Sequence, residues 1–297
     1  MTQPIHPLAA LRVEIDRIDT EIHALLVERG DVVGRVIEAK RAAGDTGSAF
    51  RPDREAALMR QIVLKESGRW PVDAPENIWR VIVATSTYTQ VPYSVHADIS
   101  AGDIPIRESM RFHFGFTVPF VAAENSTAVI AAVNASNGDL GMFHIEQSAM
   151  LGAWWKGLER PAAPKIIARL PFAERSDHPV GLPVFVIARP QHDGLARETI
   201  IASVRAERWR AQASEALAGL GAELVASAGD AMGANLLIAH PAEITPAALT
   251  DALHQAKCAP SRYIEVGCHA NRFTLARLSC RPAGERNPQA GDFRQME

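Results

Sequence analysis

Between Leu8 and Ala43 the apolar residues fall at Leu8, Leu11, Ile15, Ile18, Ile22, Leu25, Leu26, Val33, Val36 and Ile37. That alternation of threes and fours is the stripe of an amphipathic helix, here about 36 residues and roughly 54 Å long. Gly44-Asp45-Thr46-Gly47-Ser48 breaks it as a loop. Arg51-Pro52-Asp53 starts a second helix, with Pro in its first turn, that fades at Ser67-Gly68. Trp70 to Pro75 connects it to a third helix over about Glu76–Gln90. From Pro92 strands and helices alternate. Strands are predicted at Tyr93–Ile99, Val118–Ala122, Asp139–Glu146 and Val184–Ala188, and helices at Pro105–Phe114, Ala128–Asn134 and Ala149–Leu158. Asn125-Ser126-Thr127 caps the middle helix. The stretch before Val184 reads as a loop rich in Pro and charge. The last region reads βαββαβ, with strands Thr199–Arg205, Glu223–Ser227, Asn235–Ala239 and Tyr263–Val266 and helices Trp209–Ala218 and Pro246–Gln255. Such an order predicts a ferredoxin-like sandwich.

Two positions that continue the first helix's stripe are charged, Arg29 and Lys40. A cation at a core position costs several kcal/mol unless something anionic meets it. No neighbouring stripe position offers an obvious carboxylate, so the missing anion reads as a ligand. Eleven residues separate the two cations, placing them on one face roughly 16 Å apart along the axis. Arg12 lies roughly 25 Å from Arg29 and is rotated off that face. It reaches the same ligand only from another copy of the helix. Helix length and Arg12 together point to a helical dimer with shared sites. In the third helix Ile78, Ile82, Ser86 and Gln90 share a face that starts apolar and ends with two hydrogen-bonding groups. From the residues alone, that is either a helix end emerging into water or part of a site.

At 297 residues two or three domains are expected, and 47% hydrophobic residues suffice for packed cores. A net charge of −3 without a Lys/Arg run argues against a nucleic-acid partner. No apolar stretch approaches membrane-spanning length, and Met1-Thr2-Gln3-Pro4 lacks a signal-peptide core, so a cytoplasmic protein is expected. Cys258, Cys268 and Cys280 fit reduced thiols. No Cys-x-x-Cys, His-Glu-x-x-His, P-loop, Gly-x-Ser-x-Gly or Gly-x-Gly-x-x-Gly occurs, and no metal site is expected.

Arg12-x-x-Ile15-Asp16-x-Ile18-Asp19, Leu25-Leu26-x-Glu28-Arg29, Lys40 and Arg51-Pro52-x-Arg54-Glu55 resemble the all-helical (AroQ-type) chorismate mutases over about residues 8–90. The resemblance implies a cofactor-free pericyclic rearrangement of chorismate to prephenate. Such a catalyst holds a dicarboxylate in its compact form and stabilises charge as the ether bond stretches. By resemblance, Arg29 and the partner chain's Arg12 bind the carboxylates, Lys40 and Gln90 address the ether oxygen, and Glu55 takes the ring hydroxyl. Ser86 and Arg54 complete the shell. Arg51 stands where some members have an acid, leaving the hydroxyl to Glu55.

Gly141 to Gly152 is similar to the Gly-x-x-Pro-Ile-Glu-Asn-Ser segment of prephenate dehydratases. Pro183-Val184-Phe185 stands at their Thr-Arg-Phe. The missing Thr and Arg, Gln147 for Asn, and too few residues for a second lobe imply no dehydratase chemistry. The last region resembles an ACT domain, with Arg208–Ala211 and Ala226–Gly229 at the effector-binding stretches and neither motif kept. The expected organisation is an all-helical dimeric mutase domain at 1–91, a truncated α/β dehydratase-like region at 92–195, an ACT-like α+β domain at 196–281 and a mobile tail at 282–297. The expected activity is chorismate mutase in phenylalanine and tyrosine biosynthesis. The alternatives are a bifunctional mutase–dehydratase, an isochorismate pyruvate-lyase, and a non-catalytic regulator that binds an aromatic amino acid or a pathway enzyme.

Overall fold

The computed structural model describes residues 7–44, 50–65, 70–145, 152–174, 178, 180–181, 183–190, 193–207, 209–230 and 233–274. The expected loop at 45–48, Ser67-Gly68, the 146–151 stretch, Arg208, Cys280 and the tail from Arg281 lie outside them. Contacts divide the chain into residues 1–49 and residues 50–297. The expected line between helical and α/β regions, at 91/92, is not where this division falls.

The first unit is one helix, α1 (Leu8–Ala42), with no buried residue. Its apolar stripe forms as expected but stays open: Ile15, Ile22 and Leu25 are each more than half exposed.

The second unit begins with α2 (Pro52–Lys65) and α3 (Asp73–Gln90). Then come β1 (Val95–Asp98), α4 (Asp103–Phe114), β2 (Phe120–Ala123), α5 (Ser126–Ala135) and β3 (Leu140–His144). Asn125 caps α5 by accepting from the Ala128 amide at 2.9 Å. The helix expected over Ala149–Leu158 is, in its described part, a short 3₁₀ turn at Trp154–Leu158. Gly152, at φ +88°, precedes it, and Trp154 and Trp155 turn inward.

The loop expected before Val184 contains two strands, β4 (Lys165–Leu170) and β5 (Ala173–Glu174), which precede β6 (Val184–Ala188). Two features hide β4 in the sequence. A bulge between Ile166 and Ala168 breaks its alternation, and its charges find partners inside the fold. Lys165 donates to the carbonyls of Leu158 and Arg160, and Arg169 donates to Glu223 at 2.8 and 3.3 Å.

The final region follows the expected order: β7 (Thr199–Ala206), α6 (Gln212–Gly219), β8 (Glu223–Asp230), β9 (Gly233–Pro241), α7 (Pro246–Gln255) and β10 (Pro260–His269). A short β11 (Phe273–Thr274) pairs with β5. Within it β10 lies beside β7, and β9 lies between β7 and β8, the ferredoxin-like arrangement. Alternation along β9 sorts its faces. Leu236 and Ile238 meet Leu217 of α6 and Leu249 of α7, whereas Leu237 and Ala239 join the core of Phe143, Trp154 and Phe185.

All the long strands belong to one sheet of nine, in the order β2-β1-β3-β6-β4-β10-β7-β9-β8. The two halves meet where β10 pairs with β4 through Gly267 and Ile166. Gly267 has φ +155°, and a Cβ there would lie 2.2 Å from the Ile166 oxygen. Only glycine permits this approach. The Arg169–Glu223 bond spans three intervening strands, so the sheet must coil to bring β4 and β8 together.

Two measurements check this construction. Gly267→Ala should cost about 3 kcal/mol in denaturant unfolding. Gly219→Ala, where a Cβ meets nothing within 4 Å, should change little. Burial raises the Glu223 carboxyl, but the Arg169 hydrogen bond and charge outweigh it and hold the group below its ordinary 4.5. Its stabilisation is therefore complete above that value and is lost as pH falls through the depressed one. Glu223→Gln should lower the melting temperature at neutral pH, with the difference vanishing in acid.

Candidate active site

Helix α3 positions the most unusual charges in the molecule. Glu76, Arg80, Ala84 and Thr87, spaced by four, four and three, form its buried face. The opposite side carries Ile78, Ile82, Ser86 and Gln90, with Ile78 45% exposed and the other three half-buried. The helix thus buries charge and shows apolar surface. Buried charge persists only when paired, and Arg80 is paired. Its Nη1 donates to Glu55 Oε2 of α2 at 2.8 Å, with 4% and 17% of the two side chains exposed. The rings of Phe114 and Phe172 each have their centroid 5.7 Å from the guanidinium carbon.

Around the pair lies a small cavity of about 20 Å³, with Phe50, Glu55, Arg80, Phe114, Ile167 and Val186 in its wall. It lies between α2, α3 and the sheet. Tyr93 packs edge-on against Phe50 at 4.5 Å, and its buried hydroxyl has no partner among the described residues. Burial, helped by the Glu55 charge and opposed by Arg80, pushes its phenol well above the ordinary range. Next to this group Glu76 Oε2 meets His178 Nε2 at 3.5 Å, both side chains almost fully buried. The Val180 amide donates to His178 Nδ1 at 3.3 Å, so the ring proton sits on Nε2, toward Glu76. His113 is enclosed, and burial, with the Arg80 charge adding repulsion, holds it well below its usual value and neutral.

The expected site residues distribute as follows. Arg12, Arg29 and Lys40 lie on α1, Arg12 exposed and the other two half-buried. Arg51 and Arg54, at the start of α2, are exposed, and Arg51 Nε lies 3.7 Å from Asp53 Oδ1. Glu55 turns to Arg80. Ser86 Oγ donates to the Ile82 carbonyl at 2.7 Å, and Gln90 Nε2 donates to the Ser86 carbonyl at 3.1 Å. The structure joins Ser86 to Gln90 on the last turns of α3, but neither lines the cavity that Glu55 lines. Sequence reading missed Arg80, Tyr93, Phe114 and Phe172. The available signal was Arg80 itself, the lone cation within Ile78-Trp79-Arg80-Val81-Ile82-Val83.

Residues 11–91, well under half of the chain, match the family model for chorismate mutase type II. The likeness read from Arg12, Arg29, Lys40 and Glu55 is thus shown for that segment. No curated relative matches the chain. Among solved structures, prephenate dehydratase from Streptococcus mutans superposes at a TM-score of 0.38 with 13% identity, covering 61% of this chain and 99% of that one. Prephenate dehydratase in complex with L-Phe from Arthrobacter aurescens gives 0.38 at 11% identity, covering 62% and 92%. GqqA, described as a novel type of quorum quenching acylase, gives 0.37 at 13%, covering 59% and 93%. Superpositions this loose support no statement about activity.

The Arg80–Glu55 pair makes a specific demand on stability. Glu55→Gln leaves a buried guanidinium uncompensated and should cost about 3–5 kcal/mol. Adding Arg80→Met should return part of that loss. Denaturant midpoints of both single variants and the double variant measure the coupling.

Proposed function

We propose that the segment 11–91, of the type II chorismate mutase family, is a working chorismate mutase that rearranges chorismate to prephenate. The observation that carries this reading is the family match together with the cations it contains: Arg12, Arg29 and Lys40 all stand along α1. A dicarboxylate needs such partners, and a guanidinium suits bidentate gripping of each carboxylate. In this reading Arg29 and the Arg12 of a second copy hold the two carboxylates. Lys40 and Gln90 stabilise the charge growing on the ether oxygen, and Ser86 and Arg54 border the substrate. Arg51, just before α2, adds a further cation to the substrate contacts. Glu55 has Oε2 on Arg80, leaving Oε1 for the ring hydroxyl. No proton transfer, metal or cofactor is required.

The open stripe of α1 supports a homodimer. Leu11, Ile15, Ile18, Ile22, Leu25 and Leu26 are all at least 40% exposed, a continuous apolar line of the kind that marks a contact surface. Pairing two copies would cover it and bring each Arg12 to the other copy's site. The α/β region is proposed to lack dehydratase activity. Val184 and Phe185, at the position of the Thr-Arg-Phe motif, lie fully buried in β6 and offer no group to a substrate.

Chorismate loss followed directly by absorbance, with phenylpyruvate and pyruvate assayed in parallel, separates this reading from its rivals. Lys40→Ala should lower turnover by about two to three orders of magnitude while leaving helix content unchanged. Arg12→Ala and Arg29→Ala should each be inactive. Unfolding and refolding the two together should restore roughly a quarter of the wild-type activity if sites are shared between copies.

A further inference from the structure

Beyond Ile167, which also borders the Arg80–Glu55 cavity, the join between the two halves of the sheet holds a second cavity, of about 170 Å³. It opens where the β4–β10 ladder is reduced to the single pair Gly267–Ile166 and where β10 shifts register against β7 between Glu265 and Gly267. Two strands that meet at one point and then part leave a gap beside the contact. This gap is walled by Ile167, Pro190 and Leu195 on its apolar side and by Lys165, Arg197 and Glu265 on its polar side.

The charges do not cancel. Arg197 donates to Glu265 through Nη1 at 2.7 Å and Nη2 at 3.0 Å, a two-pronged pair that neutralises both groups. Lys165 is left over. Its ammonium has three N–H donors, and two are taken by the carbonyls of Leu158 and Arg160. No carboxylate among the described residues bonds to it. Burial pulls the Lys165 ammonium below its ordinary value, with Glu265 and Glu159 only partly restoring it, as expected of a cation short of solvation. At the floor, Cys268 Sγ lies 3.9 Å from Arg197 Nη1, and burial raises its thiol to about 11, so it stays a neutral, apolar surface.

We propose that this cavity binds a small organic monocarboxylate with a compact branched apolar body, its carboxylate on Lys165 and its hydrocarbon against Ile167, Pro190 and Leu195. Size, net charge and wall chemistry agree. A single negative charge balances the single uncancelled positive one, and the remaining wall is aliphatic. The ligand would bridge β4 of the α/β half and β10 of the ferredoxin-like half, and so tie the two together where the backbone ladder is weakest. The proposal is independent of the mutase reading, because none of these residues belongs to α1, α2 or α3.

Calorimetric titration of the full chain with isocaproate and with isocaproamide, its uncharged isostere, tests it. Isocaproate should bind saturably, and the amide about tenfold more weakly. Lys165→Met should weaken isocaproate about tenfold and erase the preference for acid over amide. Leu195→Trp, which fills the cavity from its apolar wall without touching a charge, should abolish binding of both. Melting curves establish that each variant is folded. If Lys165→Met is not, the Leu195→Trp arm and the acid–amide comparison decide. Absence of saturable binding, equal affinity for acid and amide, or unchanged binding in Leu195→Trp would each overturn the proposal.

Discussion

One close backbone approach makes the large unit a single body. Gly267 lets β10 lie against β4, and through that contact five strands of the α/β half and four of the ferredoxin-like half become one hydrogen-bonded sheet. Any side chain at this position would push the strands apart. The coil that follows brings Arg169 of β4 to Glu223 of β8, a second bond between the halves. Apolar layers then form on both faces: α2, α3 and α4 on one, and the buried Trp154-Trp155 turn on the other. Burial of these layers is the main stabilising term, and the missing Cβ at Gly267 lets the sheet they cover run unbroken from one half to the other.

The second organising interaction is the ion pair of Arg80 and Glu55. It fixes which side of α3 faces inward, against the preference of the helix's own aliphatic residues. With Glu76 and Arg80 inside, Ile78 and Ile82 are turned away from the core, and Ser86 and Gln90 lie on the same outward line. What α3 shows outward is therefore an apolar stripe that ends in two hydrogen-bonding groups. Charge buried in one place and hydrocarbon exposed in another are thus two results of the same packing choice.

Local signals in the sequence were strong where structure is periodic and weak where it is not. The three long helices, the cap at Asn125 and the βαββαβ order were legible because each depends on nearby residues with a fixed repeat. The fold class followed from these. Strand β4 was not, because its bulge breaks the alternation and its charged residues are satisfied by distant partners, Glu223 among them. The union of two sheets was invisible for a similar reason: Gly267 looks like any loop glycine until Ile166 is beside it. Among the candidate site residues, Arg29 and Lys40 drew notice from their place in the stripe of α1, whereas Arg12, off that face, was singled out only by the family resemblance. Arg80 could not be given a role, since its partners Phe114 and Phe172 lie far along the chain. The turning of Glu55 toward Arg80 likewise depends on contacts that no local pattern encodes.

The segment that matches the mutase family ends at Val91, yet its second and third helices do not stop there physically. Phe50, Ala56 and Met59 and, from α3, Ala84 share a core with Val95, Ile106, Met110 and Leu140. Cutting the polypeptide at that border would bare this shared hydrocarbon on both pieces and leave Arg80 without its aromatic walls. The segment that matches the family is therefore a stretch of likeness and not a detachable part. Exchanging it between proteins would require carrying the sheet along with it.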